Sequence, residues 1–464
     1  MDAVRRMTSG GWRVTSGGWH VLLAIALVLG CSRHEPAGAP AQPTVTEKSL
    51  VAAILHGAPP PRCDPSFVHA VQGINAAHGR LSFDAQGNLA LVDLAGGRVS
   101  VGDAEVGDLS ALTRIHVLRL AGQGLTSRAV DTIVRMPALS ELMLQDAQIT
   151  NADLQRLAAL PELVSLTLRR CSGVTDEGLK CLQRCPKLAS LFLPDNSFSD
   201  AAIAILATLP GLRAVDLRGC PQISEDGLRG LARCGNLTVI RLGGAAVTDD
   251  VLKLLGHLHN LRQITLDDAA VSNDGLARLT TLDLEELALS RSLSISDDGL
   301  RQLAAFKNLE RLTLRDLAIT ADALRYVGQR PTLSTLSLQE LMIGDAGLTH
   351  LAGLKALARL ELRQTGVSDA GLAVLAGLPN LADLDLADNR ITDAGLTQLA
   401  RLGGLRTLDL SANREITDAA IPLLAQLTQL RLLKIGQTGI SPAGTTRLQQ
   451  ALADCQISGE TVGE

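Results

Sequence analysis

Six stretches of this chain carry a carboxylate and a glycine in fixed order, in most cases behind a hydroxyl. They read VTDEGLKCL from Val174, ISEDGLRGL from Ile223, ISDDGLRQL from Ile295, IGDAGLTHL from Ile343, VSDAGLAVL from Val367 and ITDAGLTQL from Ile391. Such a loop could cradle a phosphate or hold a cation; it could also be structural punctuation. Sulfur and imidazole are the other candidates for chemistry. After Cys31 the thiols are Cys63, Cys171, Cys181, Cys185, Cys220, Cys234 and Cys455. Cys181 and Cys185 have no histidine near them in sequence, which speaks against zinc. His257 and His259 flank Leu258 and read as solvated residues of a surface turn. No serine or cysteine sits in a recognisable nucleophile elbow, and no glycine-rich phosphate loop introduces a strand–helix unit. The expectation is therefore no catalytic residue, no metal and no cofactor.

The elements that position these residues follow from an internal period. The pattern LxxLxLxxN starts at Leu89, Ile115, Leu139, Leu163, Leu188, Leu212, Leu237, Leu261, Leu284, Leu309, Leu333, Leu357, Leu381, Leu405 and Leu430, at intervals of 23 to 26 residues. In LxLxx the alternating leucines face one way and the residues between them the other, which predicts a short strand. The GLxxLAxL that follows puts apolar residues at i, i+3 and i+4, the stripe of a two-turn helix. Neither element can bury its apolar face alone, so the units must stack. With 46% hydrophobic but only 2% aromatic residues, the core has to be aliphatic and finely repeated. Cys171 and Cys220 share one repeat position two repeats apart, as do Cys185 and Cys234. Two strand spacings are about 9.6 Å, beyond the roughly 7 Å limit for a disulfide, so these four read as small buried fillers. Cys63 lies at the domain edge and could pair, with no partner legible.

LADLDLADNRIT (Leu381–Thr392) and LRTLDLSANREIT (Leu405–Thr417) carry a resemblance to the leucine-rich repeat family, which extends over residues 89–455. It implies an α/β solenoid, a curved horseshoe with a parallel sheet on the concave face and short helices on the convex face. The ninth position, usually Asn in that family, is Asn196, Asn389 and Asn413 here. Elsewhere it is Cys171, Cys220, Thr365, Thr438, Ala or Leu, so backbone or water must replace part of that ladder. The period, the cysteines and the xDxGLxxL run are similar to the short GALA-type and cysteine-containing bacterial subclasses. Residues 67–99 read as a capping helix and hairpin, with the turn at Phe83–Asn88, and residues 441–455 as a last helix.

The amino terminus reads as a targeting signal. Arg5, Arg6 and Arg13 precede nine apolar residues, Val21–Leu29, too few to span a bilayer. VLGC (Val28–Cys31) resembles a bacterial lipobox, which implies lipidation of Cys31, and Ser32 after it fits sorting to an outer membrane. Loss of residues 1–30 removes both tryptophans and shifts the net charge from −5 to −7; without basic excess, nucleic acid is not an expected partner. The organisation expected is a signal peptide (1–30), lipidated Cys and Pro/Ala-rich tether (31–62), cap and first repeat (63–110), repeats (111–440) and carboxy-terminal cap and tail (441–464).

The inner wall of the solenoid is the candidate binding surface. Its outward positions include Phe192, then Arg311 and Arg315, then Arg359, Glu361 and Arg363, then Asp383 and Asp385, then Asp409. Basic and acidic clusters lie side by side, suited either to dock a protein of complementary charge or to satisfy each other. The reading is a membrane-tethered envelope protein that binds or scaffolds a protein partner, without small-molecule substrate. Two alternatives are a GALA-like effector secreted into host ubiquitin signalling, for which residues 32–62 are too short and Pro-rich to supply an F-box-like segment, and a structural envelope lipoprotein without ligand. The recurrent motif is expected to start helices: Thr392 caps free N–H groups, Asp393 faces the helix dipole, and Gly395 permits close packing.

Overall fold

The computed structural model describes residues 46–55, 64–97 and 100–459; Cys31, Cys63 and the expected signal peptide lie outside them. The strand leucines face the core and the residues between them face out, as a pleated strand requires, and sixteen parallel strands follow one another from Leu89–Asp93 to Gln456–Ser458 in register, each paired with its neighbour in sequence. An antiparallel strand starts the sheet. β1 (Arg80–Phe83) pairs with β2 (Leu89–Asp93) through the expected hairpin, completing a 17-stranded sheet. Equivalent residues stand side by side down its length: Leu312 pairs with Leu336, Leu336 with Leu360, Leu360 with Leu384 and Leu384 with Leu408. All fifteen repeat-start residues are buried, and with the strand leucines they form one continuous core.

The other wall consists of short helices. Asn151–Leu157 and Asp369–Leu375 run seven residues, whereas Asp176–Leu179 and Asp297–Leu300 manage one α-helical turn and tighten into 3₁₀ turns at Lys180–Arg184 and Arg301–Ala305. Each buries a leucine stripe, such as Leu372 and Leu375. Strands lie about 4.8 Å apart and packed helices about 8–10 Å, so stacking the two in register bends the solenoid with the sheet inside.

Both ends hold more than the pattern announces. Glu47–Leu55, inside the stretch expected to be a tether, forms helix α1, because Val51 and Ile54 fall on one helical face and pack against Val71 of α2 (Pro65–Ala76). Its Glu47 carboxylate accepts the Leu89 N–H at 2.7 Å. The compact unit begins at Thr46. At the other end the helix Pro442–Ala451 is followed by an unforeseen strand, Gln456–Ser458, whose Ile457 continues the leucine row by pairing with Leu433. Among the described residues no helix is long and apolar enough to cross a membrane.

Candidate functional site

The recurrent acid is committed to the next repeat. Asp369 Oδ1 accepts the Thr392 backbone N–H at 2.9 Å and its Oδ2 accepts the Thr392 hydroxyl at 2.6 Å. Asp393 does the same for Thr417, at 2.8 and 2.6 Å. The geometry recurs in Asp103–Thr126, Asp176–Ser199, Asp200–Ser224, Asp249–Ser272, Asp297–Thr320, Asp345–Ser368 and Asp418–Ser441. Asn151 and Asn273 replace it with an amide that donates to the hydroxyl and accepts the N–H of Thr175 and Ser296. The glycine makes room for this clamp: a Cβ on Gly395 would collide with Asp369 Oδ1, and one on Gly275 with Asp249 Oδ1. The carboxylate thus does not simply face its own helix dipole, and the acidic edge is largely spent on holding repeats together. At Asp103 burial pushes the pKa up, but the Thr126 hydroxyl and N–H, the Ala129 N–H and the Arg128 charge outweigh it and hold the carboxyl below its ordinary range. Asp418 is lowered too, by its backbone and hydroxyl bonds from Ser441 and then by Arg447.

The clamp fails at three junctions among the described residues. Ser127 takes the place of the acid in one, and Asp153 accepts the Ser127 hydroxyl at 2.8 Å, the Thr150 N–H at 3.0 Å and the Thr150 hydroxyl at 2.9 Å in its stead. Glu225 stands where Asp is needed; its carboxylate accepts from Arg229 at 2.7 Å, and the Thr248 hydroxyl is buried with no hydrogen-bond partner among the described residues. Ala321 and Gly344 occupy the two positions of the third junction and bring no polar side chain.

A second ladder runs beneath the turns. Asn413 donates to the carbonyls of Leu386 and Leu410, each at 2.9 Å, and accepts the Ile391 N–H at 3.1 Å. Asn196 and Asn389 make equivalent contacts. Cys171 and Cys220 are more than fillers: their thiols donate back one repeat to the carbonyls of Leu144, at 3.5 Å, and Leu193, at 3.2 Å. Burial pushes both thiols up to about 11, so they stay protonated and can donate. Cys185 and Cys234 are buried as expected, whereas His257 and His259 are exposed. Among the described residues no group of three or more His, Cys, Asp or Glu is placed to hold a metal ion.

On the inner face most of the charged candidate residues are paired, with a neighbouring repeat or along their own strand. Arg311 pairs with Glu286 at 2.8 Å, Arg315 with Glu340 at 2.6 Å and Arg359 with Glu361 at 3.1 Å. Glu361 also accepts from Ser337 at 2.9 Å and Gln339 at 2.8 Å. Asp409 pairs with Lys434 at 3.0 Å. Phe192 is not an open anchor: only 5% exposed, it lies under the Arg241 guanidinium, 5.2 Å from the ring centroid. Much of the middle row of the face is accordingly closed, with Asp216, Arg241, Thr265, Ser337 and Asp409 buried, whereas Thr313, Glu361 and Asp385 in the same row are half-buried. Three charges stand apart. Arg363 is exposed, and neither it nor Asp383 nor Asp385 forms an ion pair among the described residues. Asp385 stands beside Asp409 in register; burial, and then the charges of Asp409 and Glu361, push its carboxyl above the ordinary range.

The family described as leucine rich repeat matches residues 355–414. The crystal structure of the Rad7 and Elc1 complex from yeast is similar over 78% of this chain and 89% of that one, with a TM-score of 0.54 at 18% identity. The fold is the leucine-rich-repeat solenoid. An internalin from Listeria monocytogenes also aligns, at 20% identity over 86% of this chain and 96% of that one, with a TM-score of 0.40. A leucine-rich-repeat protein of Leptospira interrogans aligns at 18% identity over 76% and 86%, with a TM-score of 0.39. Likenesses at these identities speak for the fold alone. No curated protein sequence matches the chain.

The clamp was legible in principle, since Asp or Asn recurs 23 to 24 residues before a Ser or Thr in one junction after another. Reading each motif within its own repeat hides that pairing.

Proposed function

We propose that this chain is a non-enzymatic protein-binding module of the bacterial cell envelope, anchored through lipid on Cys31 and using the inner face of its leucine-rich-repeat solenoid. An extended inner sheet is the usual binding surface of repeat solenoids, and the step from fold to function is an analogy of that kind. The observation that carries the reading is local. On a face where neighbouring arginines and acids are paired, Arg363 just past the end of one strand and Asp383 with Asp385 on the next stand without ion pairs among the described residues, and the Asp385 carboxylate lies between like charges. A face that is costly in isolation is relieved by a partner that brings compensating charge. The recurrent motif, which could have argued for an enzyme, is used up in holding repeats together.

Two measurements test this. Radiolabelled palmitate should enter the wild type and be lost in Cys31→Ala; no incorporation in the wild type removes the anchor. Crosslinking pull-down from envelope extract should return a protein whose recovery falls at least tenfold in Arg363→Glu/Asp383→Lys/Asp385→Lys. These positions are chosen over Arg311, Arg315 and Arg359 because reversing a paired arginine would disturb the face itself. An unchanged set of captured proteins would remove the inner face from the account.

A further inference from the structure

The turns leading from strand to helix form one rim of the solenoid, and their composition changes along it. Before the middle they carry Gln148, Ser172, Ser197 and Pro221 with Gln222, and after it Gly366, Arg390 and Arg414. Between these, successive repeats present Ala246, Ala270, Leu293, Ala318 and Met342 at equivalent places. Leu293 is 66% exposed and Met342 77%, the two most exposed large apolar side chains among the described residues. Of the same repeats, three bring Ala269, Leu317 and Leu341 to the ladder position that Asn holds elsewhere, while the repeat of Leu293 holds a buried Ser292 there whose hydroxyl turns back to the Ser290 carbonyl.

Acids border this strip on both sides. Asp268, Asp316 and Glu340 close the strands at left-handed positions on the inner side, with φ of 55°, 47° and 56°. Asp274 and Asp322 lie exposed in the first turns of the helices on the outer side. Glu340 is engaged by Arg315 and the nearby Arg291 by Asp267, whereas Asp268, Asp274, Asp316 and Asp322 form no ion pair among the described residues. The clamp acids of these repeats, Asp249 and Asp297, are spent on Ser272 and Thr320 and so are not part of the border.

We infer that this rim docks a protein segment carrying apolar side chains flanked by lysine or arginine. The inference rests on the protein-binding reading above and names a second, separate surface for it. Exposed apolar strips of this kind mark interaction sites, and charge selects the occupant. A second copy of this chain would set acid against acid, and an anionic lipid surface would be repelled. Leu293 and Met342 are two repeats apart, roughly 10 Å or somewhat more on this side of the sheet, which matches two apolar side chains about three residues apart in an extended segment or two turns apart in a helix.

The test places the photo-crosslinking residue p-benzoyl-phenylalanine at 293, at 342 and, for comparison, at 363 of the full chain in its own cells, with the crosslinked peptides sequenced by mass spectrometry. Positions 293 and 342 are expected to trap one protein segment containing apolar and basic residues. A synthetic peptide of that segment should bind the purified wild type and bind Leu293→Glu/Met342→Glu at least tenfold more weakly, with Ser197→Glu, far along the same rim, unchanged. Both substituted side chains point to solvent, and an unchanged circular dichroism spectrum verifies the fold. Crosslinks at 363 with none at 293 or 342 would overturn the rim and leave the protein-binding reading standing; no protein crosslink at any position would overturn both. Trapping of lipid, of a second copy, or of an acidic or wholly polar segment would also overturn it.

Discussion

Thr392 and Thr248 occupy the same place in two repeats and differ only in what their hydroxyls meet. The Thr392 hydroxyl donates to Asp369 at 2.6 Å and accepts the Ala394 N–H at 3.2 Å. The Thr248 hydroxyl is buried without a partner among the described residues, because Glu225 replaces the clamp aspartate. Replacing each by Val keeps the β-branched shape and removes only the hydroxyl. At position 392 this deletes a hydrogen bond to a charged group, about 1.5–3 kcal/mol, and the bond from the Ala394 N–H in the turn before the helix Leu396–Leu399, about 1 kcal/mol; partial solvent access brings the expected loss to about 2 kcal/mol. At position 248 there is no bond to lose, and removing an unsatisfied buried hydroxyl leaves stability unchanged or raised by about 0.5 kcal/mol. Urea denaturation followed by circular dichroism reads the global difference, with the slope checked because long repeat arrays can unfold in parts. Hydrogen exchange at the Ala394 amide reads the local one, about 30-fold faster for 2 kcal/mol. Equal losses at the two positions, or none at either, would refute the clamp.

Three further outcomes can be measured, two from this geometry and one from the expected processing. Asn413→Ala should cost about 3 kcal/mol in urea denaturation, since it leaves the buried carbonyls of Leu386 and Leu410 and the Ile391 N–H without their partner; a loss below about 1 kcal/mol would deny the ladder its role. Stability should show opposite pH limbs: Asp103 and Asp418, held low in the fold, contribute above the unfolded value of about 3.9 and lose that contribution as pH falls through their folded pKa values. Asp385, held high, costs stability when ionised, so Asp385→Asn should stabilise by about 0.5 kcal/mol at pH 7 with the gain vanishing by about pH 3; an Asp385→Asn gain that persists at pH 3 would contradict this. Finally, Trp12 and Trp19 are the chain's two tryptophans, so the processed envelope form should show no tryptophan emission; emission from purified membrane-associated protein would contradict cleavage at Cys31.

The repeat register was open to reading because each unit announces itself: the first leucine of every repeat is buried, and alternation within LxL can satisfy only one strand orientation. The caps were harder. In α1 the apolar signal is two residues, Val51 and Ile54, and it has meaning only once Val71 is placed beside it. The strand Gln456–Ser458 offers a single inward side chain, Ile457, so no alternation could reveal it. On the inner face the residue types were evident but their state was not. Which glutamate meets Arg311 or Arg315 depends on lateral neighbours 25 residues away, and Phe192 is covered by an arginine two repeats on. Cys171 and Cys220 show the same limit, since a thiol in a ladder position becomes a donor only when the carbonyl of the preceding repeat is in reach.

The central claim is that this chain acts by contact with a protein through its solenoid, with the uncommitted charges of the inner face at the contact. The most direct measurement is the affinity of the purified chain for the protein crosslinked at position 363, compared with that of Asp383→Lys/Asp385→Lys. The account predicts saturable binding weakened at least tenfold by the reversal, with the circular dichroism spectrum unchanged. Binding of equal strength in the two proteins, or no saturable binding by the wild type, would contradict it.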